Sequence, residues 1–352
     1  MRVDVVIAVH TPSRPIGRAV ASVLDGNGAQ AGVTVVCHNI DADQIAPGIA
    51  AEHRDRVRLL EHHDGIRSAA GPFNAGMRAA RGDFVSIMGS DDTLQPNAVD
   101  AWLDLADGMA AEAVIARLLR GTTVVPTPPA RPWLSGLADP LADRLSYRSA
   151  PLGLVSNAAR ERLGIELAEG MPVGDDVPYV TRLWFETRVA CQRGGPGYVI
   201  GEDAEDRVTL EPRPIRQELA FVHHLLDQPW FTAYPAEVRE AVAVKLTRIH
   251  LFGSVHYRPD PGFWTPTERQ DLTDVAEGLE AAAPGHTAVL SRADRSLLDV
   301  ILDPLVPAEQ LAALSVARRR HGTPGTVLTR DLRHLLRREA PPRFMAASLL
   351  TR

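Results

Sequence analysis

Residues 73–99 read FNAGMRAARGDFVSIMGSDDTLQPNAV. A helix-like run, AGMRAARG, closes at Gly82 and gives way to an apolar strand, Phe84 to Met88. The strand runs straight into two adjacent carboxylates, Asp91 and Asp92. Pro96 then opens a second helical pattern, PNAVDAWLDLAD, in the position where proline suits a helix start. Adjacent carboxylates repel each other, and nothing basic follows closely. Such a pair is tolerable in water and useful where it meets a cation. Ligands of open α/β sheets bind beyond the carboxyl ends of the strands, and Asp91 and Asp92 lie just past one.

The same alternation extends towards the N-terminus. VDVVIAV is a continuous apolar run, as a strand covered on both faces should be. IGRAVASVLDG follows with Ile16, Val20, Val23 and Leu24 at helical spacing and Gly26 as a stop. VTVVCHN is a second strand, residues 45–54 read as a helix, and RVRLLEH as a third strand. This order predicts a parallel, twisted sheet with helices on both faces. Beyond it, residues 121–151 are Pro-rich and read as a loop or insertion. LVSNAARERLGI reads as a strand end and a helix. In GMPVGDDVPYVTRLWFETR, Val177, Val180, Leu183 and Trp184 form a helical stripe, with Asp175 and Asp176 at its N-terminal edge. From about Pro214 the pattern is helical, and TPTERQDLTDVAEGLE opens with Thr265 and Glu268 in capping-box spacing. The expected division is 1–214 and 215–352.

The chain has 352 residues, 45% hydrophobic and 23% charged, ordinary values for a globular protein with a real core. The apolar start is too short to span a bilayer and lacks signal-peptide flanks, so the expected location is cytoplasmic. Cys37 and Cys191 form no CxxC pair, which supports neither a zinc site nor a disulfide framework. Lys245 is the one lysine. No Gly-rich phosphate loop precedes it, which excludes a P-loop enzyme. A Schiff-base enzyme would need this lysine in a pocket, and its helix-like run argues against that. Net charge is −6, yet nine arginines crowd residues 316–352 against Asp331 and Glu339. That basic tail suits an anionic contact such as phospholipid, a phosphate-rich polymer or a neighbouring subunit, or is simply a solvated helix face. Nothing points to nucleic acid.

Four stretches in order resemble family 2 glycosyltransferases over roughly residues 1–215. VVIAVHTPSRPIGRAVASVL looks like the family's opening strand, loop and helix. VTVVCHNIDAD stands where the family has a strand and an acidic turn. The 73–99 stretch is similar to its Asn-x-Gly helix, apolar strand, Asp-x-Asp region and Pro-capped helix. GDDVPYVTRL resembles the acidic pair that carries the catalytic base. The resemblance implies a GT-A fold, an α/β nucleotide-sugar-binding domain with a parallel-rich central sheet, followed here by a mainly α-helical C-terminal region. It also implies an inverting transfer of a sugar from a nucleoside diphosphate, a UDP-sugar foremost, to a hydroxyl of a glycan, wall-polymer or lipid-linked acceptor. A leaving diphosphate gathers negative charge, which hard-oxygen Mg²⁺ or Mn²⁺ neutralises.

By position, the resemblance implies Asp91 as metal ligand and Asp176 as the base, with Asp175 either its runner-up or a helix cap. The implied donor contacts are Thr11, Pro12 and Arg14 in the first loop, Asn39 and Asp41 after the second strand, Arg67 and Asn74 around the Asn-x-Gly helix, and Ser90, Asp91 and Asp92. The sequence departs from the family pattern at several of these. Pro-Thr-Tyr-Asn is replaced by His10, Thr11, Pro12 and Ser13. Asn39 or Asp41 must stand in for the usual acidic base contact. Phe73 replaces the family's arginine, leaving Arg67 to supply the charge, and Gly89 replaces the first Asp of the Asp-x-Asp triplet. These departures fit an altered donor, or a non-catalytic nucleotide-sugar-binding or scaffold subunit. A sugar nucleotidyltransferase is the weakest fit, because HTPSRPIG offers only Arg14 and Arg18. In size and placement the helical region resembles appendages used for oligomerisation or acceptor docking, and the basic tail suits a peripheral position at the inner membrane face.

Overall fold

Val5 and Ile7 pack into one hydrophobic core and Val6 into another, the period of two expected of a strand buried on both faces. The structure is a computed structural model that describes residues 1–27, 30–202 and 213–351. The run VDVVIAV forms β1 (Val3–Val9), paired in parallel with β2 (Ala31–His38) and β4 (Phe84–Gly89). β3 (Val57–His62) extends the sheet in parallel beyond β2. A small second sheet contains β5 (Thr93–Leu94), β7 (Leu118–Arg120), β8 (Thr123–Val125) and β11 (Tyr198–Ile200). The large sheet is completed by β6 (Ala113–Ile115), β9 (Gly153–Ser156) and β10 (Val189–Cys191), in the order β10-β6-β9-β4-β1-β2-β3. β9 runs antiparallel to both β4 and β6, so the sheet is parallel-rich rather than wholly parallel.

Helices Ile16–Leu24 and Ala98–Met109 cover one face, burying Val20, Val23 and Trp102 against the sheet. Helices Ala70–Ala79 and Asp176–Glu186 cover the other, through Met77, Leu183 and Trp184. A further core is built almost wholly from helices after residue 214, with Phe221, Phe231, Phe252, Leu272 and Leu297 at its centre. Val177, on the first turn of the 176–186 helix, also packs into this core. The helix that carries the acidic pair is therefore shared between both cores.

Three local expectations need correction. Residues 45–54 do not form one helix. A single turn at Ala42–Ile45 breaks into short 3-10 segments at Ala46–Gly48 and Ala51–Arg56, because Pro47 lacks an amide donor and Gly48 disfavours helix. The helix before β4 starts at Ala70 and ends at Ala79, short of Gly82. Ala80 is extended, and the Arg81 amide is taken by Asp4 Oδ2 at 3.2 Å. Pro96 is not the first helical residue, since Asn97 after it takes a left-handed φ of 64° and the helix opens at Ala98. Thr265 does cap its helix, accepting from the Glu268 amide at 3.3 Å. The Glu268 carboxylate instead accepts from the Ile215 amide at 2.7 Å, pinning the start of the helical region.

Candidate functional site

A cavity of about 1100 Å³ opens beyond the carboxyl ends of β1, β2 and β4. It runs on between the 172–176 loop and the helical region, where Glu218, Phe221, His250 and Tyr257 line it. His10, Arg14, Asn39, Arg67, Ser90, Asp91, Asp92, Asp175 and Asp176 all line this one space. Most of the expected site residues, from five separate stretches of chain, are thus brought together.

The two adjacent carboxylates of the opening stretch have different surroundings. Asp92 accepts from the Tyr198 hydroxyl at 2.5 Å, the Gly201 amide at 2.7 Å and the Gly89 amide at 3.2 Å. Burial nonetheless holds its acid in the protonated form to higher pH than usual. Gly89 is what makes room. A Cβ there would lie 2.6 Å from Asp92 Oδ2, closer than atoms pack. The glycine at the first Asp-x-Asp position and the second carboxylate of the pair therefore belong to one local arrangement. Asp91 faces Arg14, with 3.3 Å between Oδ1 and Nη1, and its carbonyl accepts from Arg18 at 2.8 Å. The donor set suits a divalent ion that takes one protein carboxylate and completes its shell with diphosphate oxygens. Asp91 can supply that carboxylate, whereas both oxygens of Asp92 are already engaged.

Asn39 takes a left-handed φ of 56°, a conformation asparagine tolerates. Its Oδ1 accepts from the Asp64 and Gly65 amides at 3.1 and 2.9 Å, and its Nδ2 donates to Asp64 Oδ1 at 3.1 Å. Asn39 thereby stitches the end of β2 to the turn after β3. Asp64 is further held by His38 Nε2 at 2.9 Å and the Ile66 amide at 2.9 Å, and this set keeps its acid far below the usual carboxylate range despite the cost of burial.

Four expected donor contacts lie elsewhere. Asn74 is buried and faces away from the cavity. It donates to Leu167 O and Glu169 Oε1 at 3.0 and 2.9 Å and accepts from the Leu167 amide at 2.9 Å, tying its helix to the 167–169 loop. Asp41 is exposed at the start of a short helical turn, 3.9 Å from His63, and forms with Glu61 and His63 an exposed trio outside the cavity. Thr11 and Pro12 lie in the first loop without lining the cavity, and Thr11 Oγ1 sits 3.1 Å from Ser13 Oγ.

The acidic pair at the start of the 176–186 helix remains partly accessible from the cavity. Gly174, at φ 71°, lets the preceding loop lie against Phe221, whose ring a Cβ would meet at 2.4 Å. Asp175 makes no side-chain cap, so the capping role is not used. Enclosure pushes the Asp175 acid up to about 6. Enclosure and the charge of Asp175 push Asp176 up to about 7, against the opposing pull of Lys245. A carboxylate that titrates near neutrality can take a proton and release it again.

Lys245 is not among the residues that line the cavity. In the structure its side chain is 2% exposed and donates to His250 Nε2, a cavity-lining ring, at 2.8 Å. Being the one lysine in an arginine-rich chain was the available signal for it. Nothing local in the sequence announces Tyr198, which reaches Asp92 from across the small sheet. Cys37 is buried, Cys191 half-buried, and both are free. Among the described residues no helix is long and apolar enough to cross a membrane.

Residues 4–162 match the family model described as "Glycosyl transferase family 2". A 119-residue stretch is 35% identical to the succinoglycan biosynthesis protein ExoO of Rhizobium meliloti (strain 1021), covering 33% of this chain and 33% of that protein. The match thus spans about a third of that relative's length. Similar solved structures include S. aureus TarS 1-349, with a TM-score of 0.66 at 15% identity over 91% of each chain. The same protein in complex with UDP-GlcNAc gives a TM-score of 0.68 at 14% identity over 91% of this chain and 92% of that one. At these identities the structural likeness concerns the fold.

Proposed function

Because residues 4–162 match the glycosyl transferase family 2 model, we propose that the chain belongs to that family and is an inverting, metal-dependent glycosyltransferase. It moves a sugar from a nucleoside diphosphate, a UDP-sugar foremost, to a hydroxyl of a cell-surface polymer or glycoconjugate. One observation carries the reading: Asp91 and Asp176 line a single cavity at the strand ends. In this reading Asp91 holds Mg²⁺ or Mn²⁺ together with the donor's diphosphate, and the bound ion supplies charge neutralisation to the leaving group. Arg14 and Arg67 add positive charge on the same lining. Asp176 takes the proton of the acceptor hydroxyl as that oxygen attacks the anomeric carbon from the face opposite the leaving group. The division near residue 215 gives a donor-binding part and a helical part whose Glu218, His250 and Tyr257 form the acceptor side.

The acceptor class draws support from the exopolysaccharide name of the curated relative, and the donor from the UDP-GlcNAc complex of the structural neighbour. Peripheral membrane contact and self-association through the basic tail belong to the proposal. Part of that charge is already matched within the chain, by Arg318–Asp294 at 2.7 Å and Arg337–Glu240 at 2.6 Å.

A second reading, a non-catalytic nucleotide-sugar-binding or scaffold partner of an active transferase, is favoured by Asn39, whose side chain is spent on its own turn. One experiment separates the two. Calorimetry with a panel of nucleoside diphosphates, with and without Mn²⁺, is run on the wild type and on Asp91→Ala. Metal-dependent binding of one nucleotide, lost in the variant, together with donor turnover, supports the transferase. Binding without turnover supports the scaffold, and absence of binding by the folded protein overturns the transferase and its metal site and leaves the scaffold.

A further inference from the structure

The helical region meets the cavity with three residues spaced by four, Ile249, Gly253 and Tyr257. Ile249 lies in a π-helical segment, Leu246–Leu251, Gly253 in the helix Phe252–His256 that continues it, and Tyr257 at that helix's C-cap. Residues four apart fall on nearly one face of a helix, about 6 Å apart along its axis. Both outer side chains are open: Ile249 is 49% exposed and Tyr257 70%. Between them a Cβ added at Gly253 would meet no heavy atom within 4 Å. The face is therefore a gap with an aliphatic wall at one end and an aromatic wall at the other. Large apolar side chains left open together in a cavity mark a surface that something covers.

The charges on this half of the cavity say what does. Around the strand ends the lining includes Arg14 and Arg67. From residue 172 on, the lining carries Asp175, Asp176 and Glu218 against one arginine, Arg258. Arg258 is already committed, donating to Arg213 O at 2.8 Å, Ser254 O at 3.0 Å and Glu218 Oε2 at 3.1 Å. Lys245 sits sealed behind His250, at 2.8 Å from its Nε2. Among the described residues no arginine of the basic tail lines the cavity. A polyanion entering here meets carboxylates, and like charges brought together are strongly unfavourable. An uncharged sugar ring meets what it needs. Its C–H face packs on an aliphatic chain and a tyrosine ring, and its hydroxyls donate to carboxylate oxygens.

We propose that the gap over Gly253, walled by Ile249 and Tyr257, is the acceptor subsite and seats a pyranose ring of a neutral glycan. This rests on the reading of the cavity as a transferase site. It narrows the acceptor to a chain that is uncharged where it is extended, and it leaves any anionic contact of the basic tail to a different part of the surface.

The test measures glycan binding apart from turnover. Saturation-transfer NMR is run on the full chain with UDP and Mg²⁺, using cellotetraose and laminaritetraose as neutral probes and tetragalacturonic acid and a ribitol-phosphate tetramer as anionic ones. The neutral probes should bind and the anionic ones should not. Gly253→Leu fills the gap without meeting a neighbour and should weaken neutral binding about 10-fold or more. Tyr257→Ala should do the same, and Tyr257→Phe, which keeps the ring, should restore it. Calorimetry of UDP on each variant checks that the strand-end half is intact. Anionic probes that bind as well as neutral ones overturn the proposal, as does undiminished neutral binding in folded Gly253→Leu. A folded protein that binds UDP and no neutral probe overturns the subsite and leaves the donor reading. Neutral binding that tracks Gly253 and Tyr257 in a protein that binds no nucleotide overturns the transferase reading and leaves a carbohydrate site.

Discussion

The Tyr198 hydroxyl donates to Asp92 Oδ2 at 2.5 Å, and this bond separates two carboxylates that are neighbours in sequence. Tyr198 belongs to β11, which is antiparallel to β5 just after the acidic pair. The small sheet therefore folds back to claim Asp92, while Asp91 stays with Arg14 in the cavity. Repulsion between the two is relieved by giving them different partners.

Asp92 and Tyr198 should therefore register in stability, and Asp91 in binding. Asp92→Ala removes the carboxylate that accepts from the Gly89 and Gly201 amides and from the Tyr198 hydroxyl, and should cost about 2–4 kcal/mol in urea unfolding. Tyr198→Phe should cost about 1–2 kcal/mol. Asp91→Ala should change unfolding by less than about 1 kcal/mol and abolish Mn²⁺-dependent nucleotide binding in calorimetry. The reverse pattern, with Asp92→Ala folded and defective only in binding, would reassign the metal ligand.

Asp176→Asn keeps the shape of the side chain and removes its basicity. Donor turnover should fall by about 10²–10⁴-fold, the range for a lost general base. Nucleotide Kd should be unchanged, because the proposed base acts on the acceptor hydroxyl and not on the donor's diphosphate. A variant with wild-type kcat would remove Asp176 from the proposed chemistry.

The alternation of strands and helices along the chain, the helices on both faces of the large sheet and the site at the strand ends were readable because they follow from local apolar patterns. VDVVIAV and FVSIMG can bury both faces only inside such a sheet. What the sequence hid is what depends on long-range partners. Asn74 looks like a donor contact by its place in the Asn-x-Gly helix, yet the loop that engages it lies more than ninety residues away. Gly89 looks like a lost carboxylate until Asp92 and Tyr198 are seen to occupy the space a side chain would need. Lys245 sits in an unremarkable helical run, and only the π turn and the packing of the helical region bring it to His250. The antiparallel β9 was also hidden, since the direction of a strand leaves no mark on its own composition.

Asn74 gives the sharpest contrast between position in a motif and position in space. Asn74→Ala deletes hydrogen bonds to Leu167 and Glu169 in a buried setting, and should destabilise by about 1–3 kcal/mol. Arg78 also reaches Glu169, at 3.0 Å, and will hold part of the loop in place. Thermal unfolding and the donor KM together decide the matter. A lowered Tm with an unchanged KM agrees with the structure, whereas a raised KM at wild-type Tm would restore the donor role.

Asp175 supplies a prediction with two signs. Its acid is raised in the folded protein to about 6, from an ordinary value of 3.8, chiefly by enclosure. The folded state therefore binds this proton more tightly than the unfolded chain does. Its relative contribution to stability is fully present below pH 3.8 and is lost as pH rises from there through 6. Asp175→Asn removes the buried charge, so the variant should be more stable than wild type at pH 8, by on the order of 1–2 kcal/mol, and indistinguishable from it near pH 3. The same change removes the repulsion that raises Asp176. The acid limb of turnover should then move to lower pH by about half a unit to one unit. Chemical unfolding at pH 3 and 8, with a pH–rate profile on the same sample, reads both effects. A limb that moved upward, or a variant less stable at pH 8, would mean that Asp175 is held as a carboxylate by a favourable partner rather than tolerated at a cost.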